Sequence, residues 1–172
     1  MRLCSKERLL QLEGNGSIRF EGGNLGDLIL DNYRIGLTMK EFLQPNGTVD
    51  LTSREKPPFQ SCDVTGKAFV PGDFLLGVTS TRLAVGANLF GSLHTRSKYA
   101  RMGLKMLGSS NYVSPLTGHP TPVPLVFEIE FATCLKGLAL GVAYCFMLLY
   151  EINPINDESG RKEDFHQRFP FA

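Results

Sequence analysis

The chain contains no tryptophan, no closely spaced pair of cysteines and almost no surplus charge of either sign. Each lack excludes something. Lys and Arg number 18 against 17 Asp and Glu, so a broad nucleic-acid surface is not expected and any anion site must be local. Cys4, Cys62, Cys134 and Cys145 are scattered without a C-x-x-C pair, which argues against a zinc knuckle and for buried, reduced thiols. The longest apolar run, Leu138 to Tyr150, is too short to span a bilayer and contains Gly141. The N-terminus lacks a signal-peptide hydrophobic stretch. A soluble, cytoplasmic protein with no membrane or nucleic-acid partner is the expectation.

What the chain does contain favours strands. Its 172 residues suffice for one domain with a real core, and its 18 Gly, 10 Pro and abundant Phe and Val fit a turn-rich β protein. A helix is predicted over Ser5 to Leu12, capped by Ser5 and stopped by Gly14-Asn15-Gly16. A polar, glycine-rich passage follows from Glu21 to Asp27, and Leu28 to Phe42 holds one or two strands. Pro45-Asn46-Gly47 reads as a turn, Val49 to Thr52 as a short strand and Arg54 to Pro58 as a loop.

Further strands are predicted at Phe74–Thr79, Arg82–Val85 and Leu89–Leu93. The three prolines between Thr117 and Pro124 exclude an ordinary central strand there. Beyond them Leu125, Phe127, Ile129 and Phe131 alternate with Val126, Glu128 and Glu130, the pattern of a strand with one buried face. A last strand is expected over Val142 to Ile152. Many short strands separated by turns imply a sandwich or barrel. A β domain over 1–155 is then followed by a segment, 156–172, that is polar at first and ends in Phe165, Phe169 and Phe171. Those rings mark it as a lid or docking segment.

The most distinctive stretch is Gly91 to Leu104, where His94, Arg96, Lys98 and Arg101 arrive together after an apolar run. A short helix with Arg96 and Ser97 near its N-terminus would offer free N–H groups and two guanidinium forks to a polyanion such as a triphosphate. The competing reading is a solvated basic turn.

In this order Arg96-Ser97-Lys98-Tyr99-Ala100-Arg101-Met102-Gly103-Leu104 and Ile129-Glu130-Phe131 resemble the dCTP deaminase family, within the wider dUTPase-like fold. Met1 to Cys4, Pro71 to Gly77 and Leu138 to Leu140 extend the resemblance along most of the chain. It implies a distorted β-barrel, jelly-roll-like, with a short N-terminal helix, assembled as a homotrimer with active sites shared between subunits. It also implies a pyrimidine deoxynucleoside triphosphate accompanied by Mg²⁺. By the same resemblance Arg96 and Arg101 bind the nucleotide, Ser97 and Glu130 are the catalytic residues, with Glu130 carrying protons while water attacks the cytosine ring, and Ser110 and Asn111 lie where the base is read. The zinc route of other nucleobase deaminases needs H-x-E and P-C-x-x-C spacing, which His94, His119, His166 and the cysteines do not show.

The departures are as informative. Where the family has Thr-Ala-His-Arg-Ile-Asp-Pro-Gly, this chain reads Ser109-Ser110-Asn111-Tyr112-Val113-Ser114-Pro115-Leu116. Ser114 stands at the carboxylate position that activates water in dUTPases, and a hydroxyl is no base at neutral pH. Phe146 is a bulky residue in the glycine-rich strand, and Phe165-His166-Gln167-Arg168 only echoes the usual lid. Three function classes stand: a dCTP deaminase, a catalytically inactive trimer that binds or scaffolds, and a relative acting on another pyrimidine nucleotide through the loop Leu116 to Pro124. For single residues, Glu130 is alternatively an ion-paired strand carboxylate with Glu128 as competitor, Arg96 and Arg101 interface ion pairs, and Ser97 a helix cap.

Overall fold

Strands that bury every second residue dominate the chain. The computed structural model describes residues 1–47, 59–108 and 111–152. Its elements run β1 (Arg2–Leu3), α1 (Lys6–Gly14), β2 (Ile18–Glu21), α2 (Leu25–Leu28), β3 (Arg34–Pro45), β4 (Phe59–Ser61), β5 (Ala68–Phe69) and β6 (Phe74–Val85). They continue with β7 (Leu89–Thr95), α3 (Ser97–Arg101), β8 (Leu104–Gly108), β9 (Tyr112–Val113), β10 (Val123–Phe131), β11 (Leu135–Lys136) and β12 (Ala143–Glu151).

The main sheet has the order β8-β10-β6-β3-β12-β7-β9, with β1 added to β12, β2 to β6 and β4 to β3; β5 and β11 form a separate pair. The mainly β expectation is borne out as a sheet curled into a half-barrel. One side chain does much to close the curl. Thr95 Oγ1 accepts the Met106 N–H at 3.1 Å and donates to the Met106 carbonyl at 3.2 Å, joining β7 to β8 where no ladder exists. The inward residues are those the alternation marks: Phe127, Ile129 and Phe131 on β10, Cys145, Met147 and Leu149 on β12, and Ile35 and Met39 on β3, all buried.

Ser5 caps α1 as expected, accepting the Arg8 N–H at 3.4 Å, and Leu9 and Leu12 pack inward. The passage Glu21 to Asp27 is not irregular throughout: Asn24 Oδ1 takes the Gly26 N–H at 2.8 Å and opens the single turn of α2. Phe74–Thr79 and Arg82–Val85 are one strand rather than two. Buried Thr79 explains this, since its hydroxyl donates to the Thr81 carbonyl at 2.7 Å and accepts the Leu125 N–H at 2.9 Å, so the polar stretch stays satisfied inside the sheet.

The prolines are also handled differently from the expectation. β10 takes in Pro124, and its register to β6 shifts between Pro124 and Val126. An irregular register is where a residue without an amide hydrogen is tolerated. Upstream, Arg82 Nε donates to the Pro122 carbonyl at 2.9 Å, and Arg19 donates to that of Pro120. Three cysteines are buried, but Cys134 is exposed, contrary to the uniform burial expected. The strand and loop predicted between Val49 and Pro58, and the segment from 156 onward, lie outside the described residues.

Candidate functional site

The site residues converge at one end of the half-barrel, where β7 leaves the sheet, α3 turns and β8 re-enters. Arg96 is the hinge of that turn. Its N–H donates to the Tyr144 carbonyl at 2.9 Å and its Nη1 to the Ala143 carbonyl at 3.0 Å, so both ends of the residue hold the start of β12. Its guanidinium carbon also lies 6.0 Å from the Tyr99 ring centroid. Among the described residues of its own chain, Arg96 is thus held by backbone and an aromatic ring, with no carboxylate paired to it.

The expected short helix is present, with Arg96 at its N-cap and Ser97 as its first residue. Ser97 is exposed and makes no capping bond, which removes the cap reading. Arg101 is exposed at the other end of α3 and pairs with no carboxylate among the described residues.

Glu130 reaches the same corner through the β8–β10 ladder. It lies opposite Lys105, and Phe131 lies opposite Leu104, three residues beyond Arg101. Two bonds lock the exits of α3 and β10 together: the Ala132 N–H donates to the Gly103 carbonyl at 2.8 Å, and Thr133 Oγ1 donates to the Met102 carbonyl at 2.7 Å. Gly103 permits this approach with φ +92°, and a Cβ there would come within 2.6 Å of Thr133 Oγ1. The Glu130 carboxylate is 3.9 Å from Lys105 Nζ, with 50% and 59% of the two side chains exposed. Glu128, the competitor on the same face, is half-buried opposite Leu107 and Leu76.

Asn111 is brought in less closely. It is exposed beside the β7 edge, where its carbonyl accepts the Leu93 N–H at 2.9 Å. Ser110 lies outside the described residues. Phe146 is on the outer face of β12, stacked on His94 with centroids 5.2 Å apart.

Beneath α3 lies a small cavity of about 80 Å³, lined by residues including Phe69, Tyr99, Phe131, Leu138 and Tyr144. Phe69 and Phe131 stack at 4.5 Å, and Tyr99 meets Tyr144 edge-on at 4.8 Å. The Tyr144 hydroxyl accepts the Ala139 N–H at 2.8 Å, and burial pushes its pKa up. None of Arg96, Ser97, Arg101, Asn111 or Glu130 lines this cavity. It is far below the ~300 Å³ at which small-molecule pockets begin. A nucleotide-sized ligand does not fit inside it.

Thr95, Lys105 and Thr133 shape the corner yet were not singled out by the sequence reading. Lys105 was within reach of a register argument, since it opposes Glu130; Thr133 was not, because its role comes from a loop contact. Among the described residues, no group of three His, Cys, Asp or Glu side chains gathers as a metal set, and no helix is long and apolar enough to cross a membrane.

No family model matches the chain, and no curated protein matches it in sequence. A solved structure does. The crystal structure of 2'-deoxycytidine 5'-triphosphate deaminase from Agrobacterium tumefaciens is similar over 86% of this chain, with a TM-score of 0.63 and 12% identity. The fold is dUTPase-like. The similarity takes in 48% of that chain, so the present chain spans about half the length of its structural neighbour.

Proposed function

We propose that this chain acts in nucleotide metabolism by hydrolytic deamination of dCTP to dUTP and ammonia, without catalytic zinc. The observation that carries the reading is the lock between α3 and β10, which joins the Arg96–Arg101 helix to the strand exit bearing Glu130 within a dUTPase-like fold. In this reading Arg101 and the exposed N–H groups around Ser97 meet the phosphates, while Arg96 fixes the turn on β12.

Glu130 serves as the proton carrier. Water attacks C4 of the cytosine and gives a proton to the carboxylate. The carboxylate passes it to ring N3, then takes the proton of the new C4 hydroxyl and hands it to the amino group, so that the C4–N bond breaks, ammonia leaves and the C4 carbonyl of dUTP forms. One carboxylate can serve every step when it is shielded from water.

The shielding would come from a second copy. Glu130 stands half-exposed between Phe74 and Lys105, on an outer face that also carries Glu128, Leu76, Leu107, Val78 and Val126. Such a face suits coverage by a neighbouring subunit, and the homotrimer expected from the resemblance would supply it. The described side chains offer no carboxylate set for Mg²⁺. The ion would arrive on the triphosphate, and the proposed proton transfers do not pass through it.

A second reading is a trimer that binds a pyrimidine nucleotide without turning it over. It is favoured by the Lys105 ammonium 3.9 Å from Glu130, which makes Glu130 the ion-paired strand carboxylate of the alternative reading. One assay separates the two. Ammonia release from dCTP, falling about 10²-fold or more in Glu130→Gln, establishes deamination and its acid–base group. A thermal shift with dCTP, dUTP or dTTP but no ammonia selects the binding reading. No shift with any nucleotide overturns both.

A further inference from the structure

A sheet with one face in the core ordinarily turns polar residues outward. The outer face of β12 does the reverse, although its neighbours set Arg34 and Thr38 of β3 and Ser92 and His94 of β7 beside it. On β12 the outward residues are Phe146, Leu148 and Tyr150, all half-buried, and the register sets Phe90 opposite Tyr150, Ser92 opposite Leu148 and His94 opposite Phe146. Phe90 and Tyr150 have centroids 6.4 Å apart, and Tyr112 of β9 lies 5.5 Å from Phe90. Toward β3, the Arg34 guanidinium carbon sits 5.4 Å from the Phe146 centroid, and Leu30 closes over Gly36. Leu3 of β1 extends the apolar row beyond Tyr150. An apolar strip of this kind, rimmed by Arg34, Ser92 and His94, marks a surface suited to being covered.

The position of the chain's exit points to the cover. β12 ends at Glu151, and the Ile152 N–H donates to the Asn88 carbonyl at 2.9 Å, which holds Ile152 at the edge of the strip near Tyr150 and Phe90. The segment 153–172 carries Phe165, Phe169 and Phe171, its only aromatic residues besides His166. Phe165 lies thirteen positions beyond Ile152, a reach of up to about 45 Å when extended. The strip from Tyr150 to Phe146 is only about 13 Å long at strand rise, so the rings can be laid anywhere on it. We propose that segment 153–172 docks its phenylalanines onto the outer aromatic face of β12 and β7. This use of the fold is independent of the nucleotide reading and of the corner holding Glu130.

Trypsin digestion of the full chain, followed by mass spectrometry at Arg161, Lys162 and Arg168, tests it. Docking predicts that these bonds are cut at least tenfold faster in Leu148→Ser than in the wild type. The triple variant Phe165→Ser/Phe169→Ser/Phe171→Ser, which leaves the described fold untouched, is expected to match Leu148→Ser. Equal rates in the wild type and the triple variant overturn the proposal, whatever Leu148→Ser does to folding. A change of solution mass in Leu148→Ser with unchanged cleavage also overturns it, and assigns the face to a second copy of the chain.

Discussion

Replacing Gly77 by Ala tests how tightly β6 and β10 are pressed together beneath Glu130. Gly77 lies opposite Phe127 on the inward face, and a Cβ there would sit 2.9 Å from Ile129 Cδ1 and 3.1 Å from Met39 Sδ. Ile129 and Met39 are both fully buried, so neither can swing into solvent. Overpacking of this kind costs about 1–3 kcal/mol, offset by roughly 0.5–1 kcal/mol because Ala loses less backbone freedom than Gly. Gly77→Ala alone should therefore lose about 1–2 kcal/mol. Ile129→Val alone deletes the δ-methyl and should lose about 0.5–1.5 kcal/mol.

The double variant is the informative one, because the deleted methyl is the atom the new Cβ meets. It should lose no more than Ile129→Val does, so the two changes couple favourably by about 1–2 kcal/mol. Urea unfolding of the four proteins at constant slope measures this cycle. If the double variant equals the sum of the singles within about 0.5 kcal/mol, the close approach of Ile129 to Gly77 is not what limits the site.

Two further outcomes follow from the ionisable groups. The Arg8 Nε donates to Glu151 Oε1 at 3.0 Å and holds that carboxyl below its ordinary value of 4.5. The folded state thus binds the proton more weakly than the unfolded chain, so this stability is present above about pH 4.5 and is lost as pH falls through the lower, folded value. Urea midpoints between pH 3 and 7 should drop more steeply toward acid in the wild type than in Arg8→Met; parallel curves would count against the pairing. Among the thiols, Cys134 is exposed, whereas burial pushes Cys4 up to about 11 and Cys145 further still. A thiol reagent at neutral pH should modify Cys134 rapidly and reach Cys4 and Cys145 only on unfolding; fast labelling of either buried thiol would contradict the described core.

Much of the fold was legible because burial writes a period of two into a strand. Phe127, Ile129 and Phe131 announced β10 and its inward face, and Ser5 announced the start of α1. The junctions were not legible, since they depend on hydroxyls that look alike in a sequence. Thr79 keeps β6 continuous and Thr95 joins β7 to β8, yet nothing in their neighbours separates them from any surface threonine. At the site, the grouping of Arg96, Ser97 and Arg101 on one turn followed from spacing. That Arg96 spends its guanidinium on the Ala143 carbonyl did not, because that partner lies 47 residues away. Thr133 likewise reaches Met102 through a loop contact that no strand pattern marks.

The place of β12 bears on how the protein comes into being. It pairs with β1, β3 and β7 and stands between β3 and β7 in the sheet, although it follows them all in sequence. A chain emerging from the ribosome therefore holds β8-β10-β6-β3 as one fragment and β7-β9 as another, with the bridging strand still unmade. Until β12 clears the exit tunnel, the inner edges of both fragments carry unsatisfied amides and carbonyls. Closure of the sheet must then wait for β12 and is dominated by contacts distant in sequence, which makes folding slow. During that interval the open edge of β3 is the surface most exposed to aggregation and to chaperone capture.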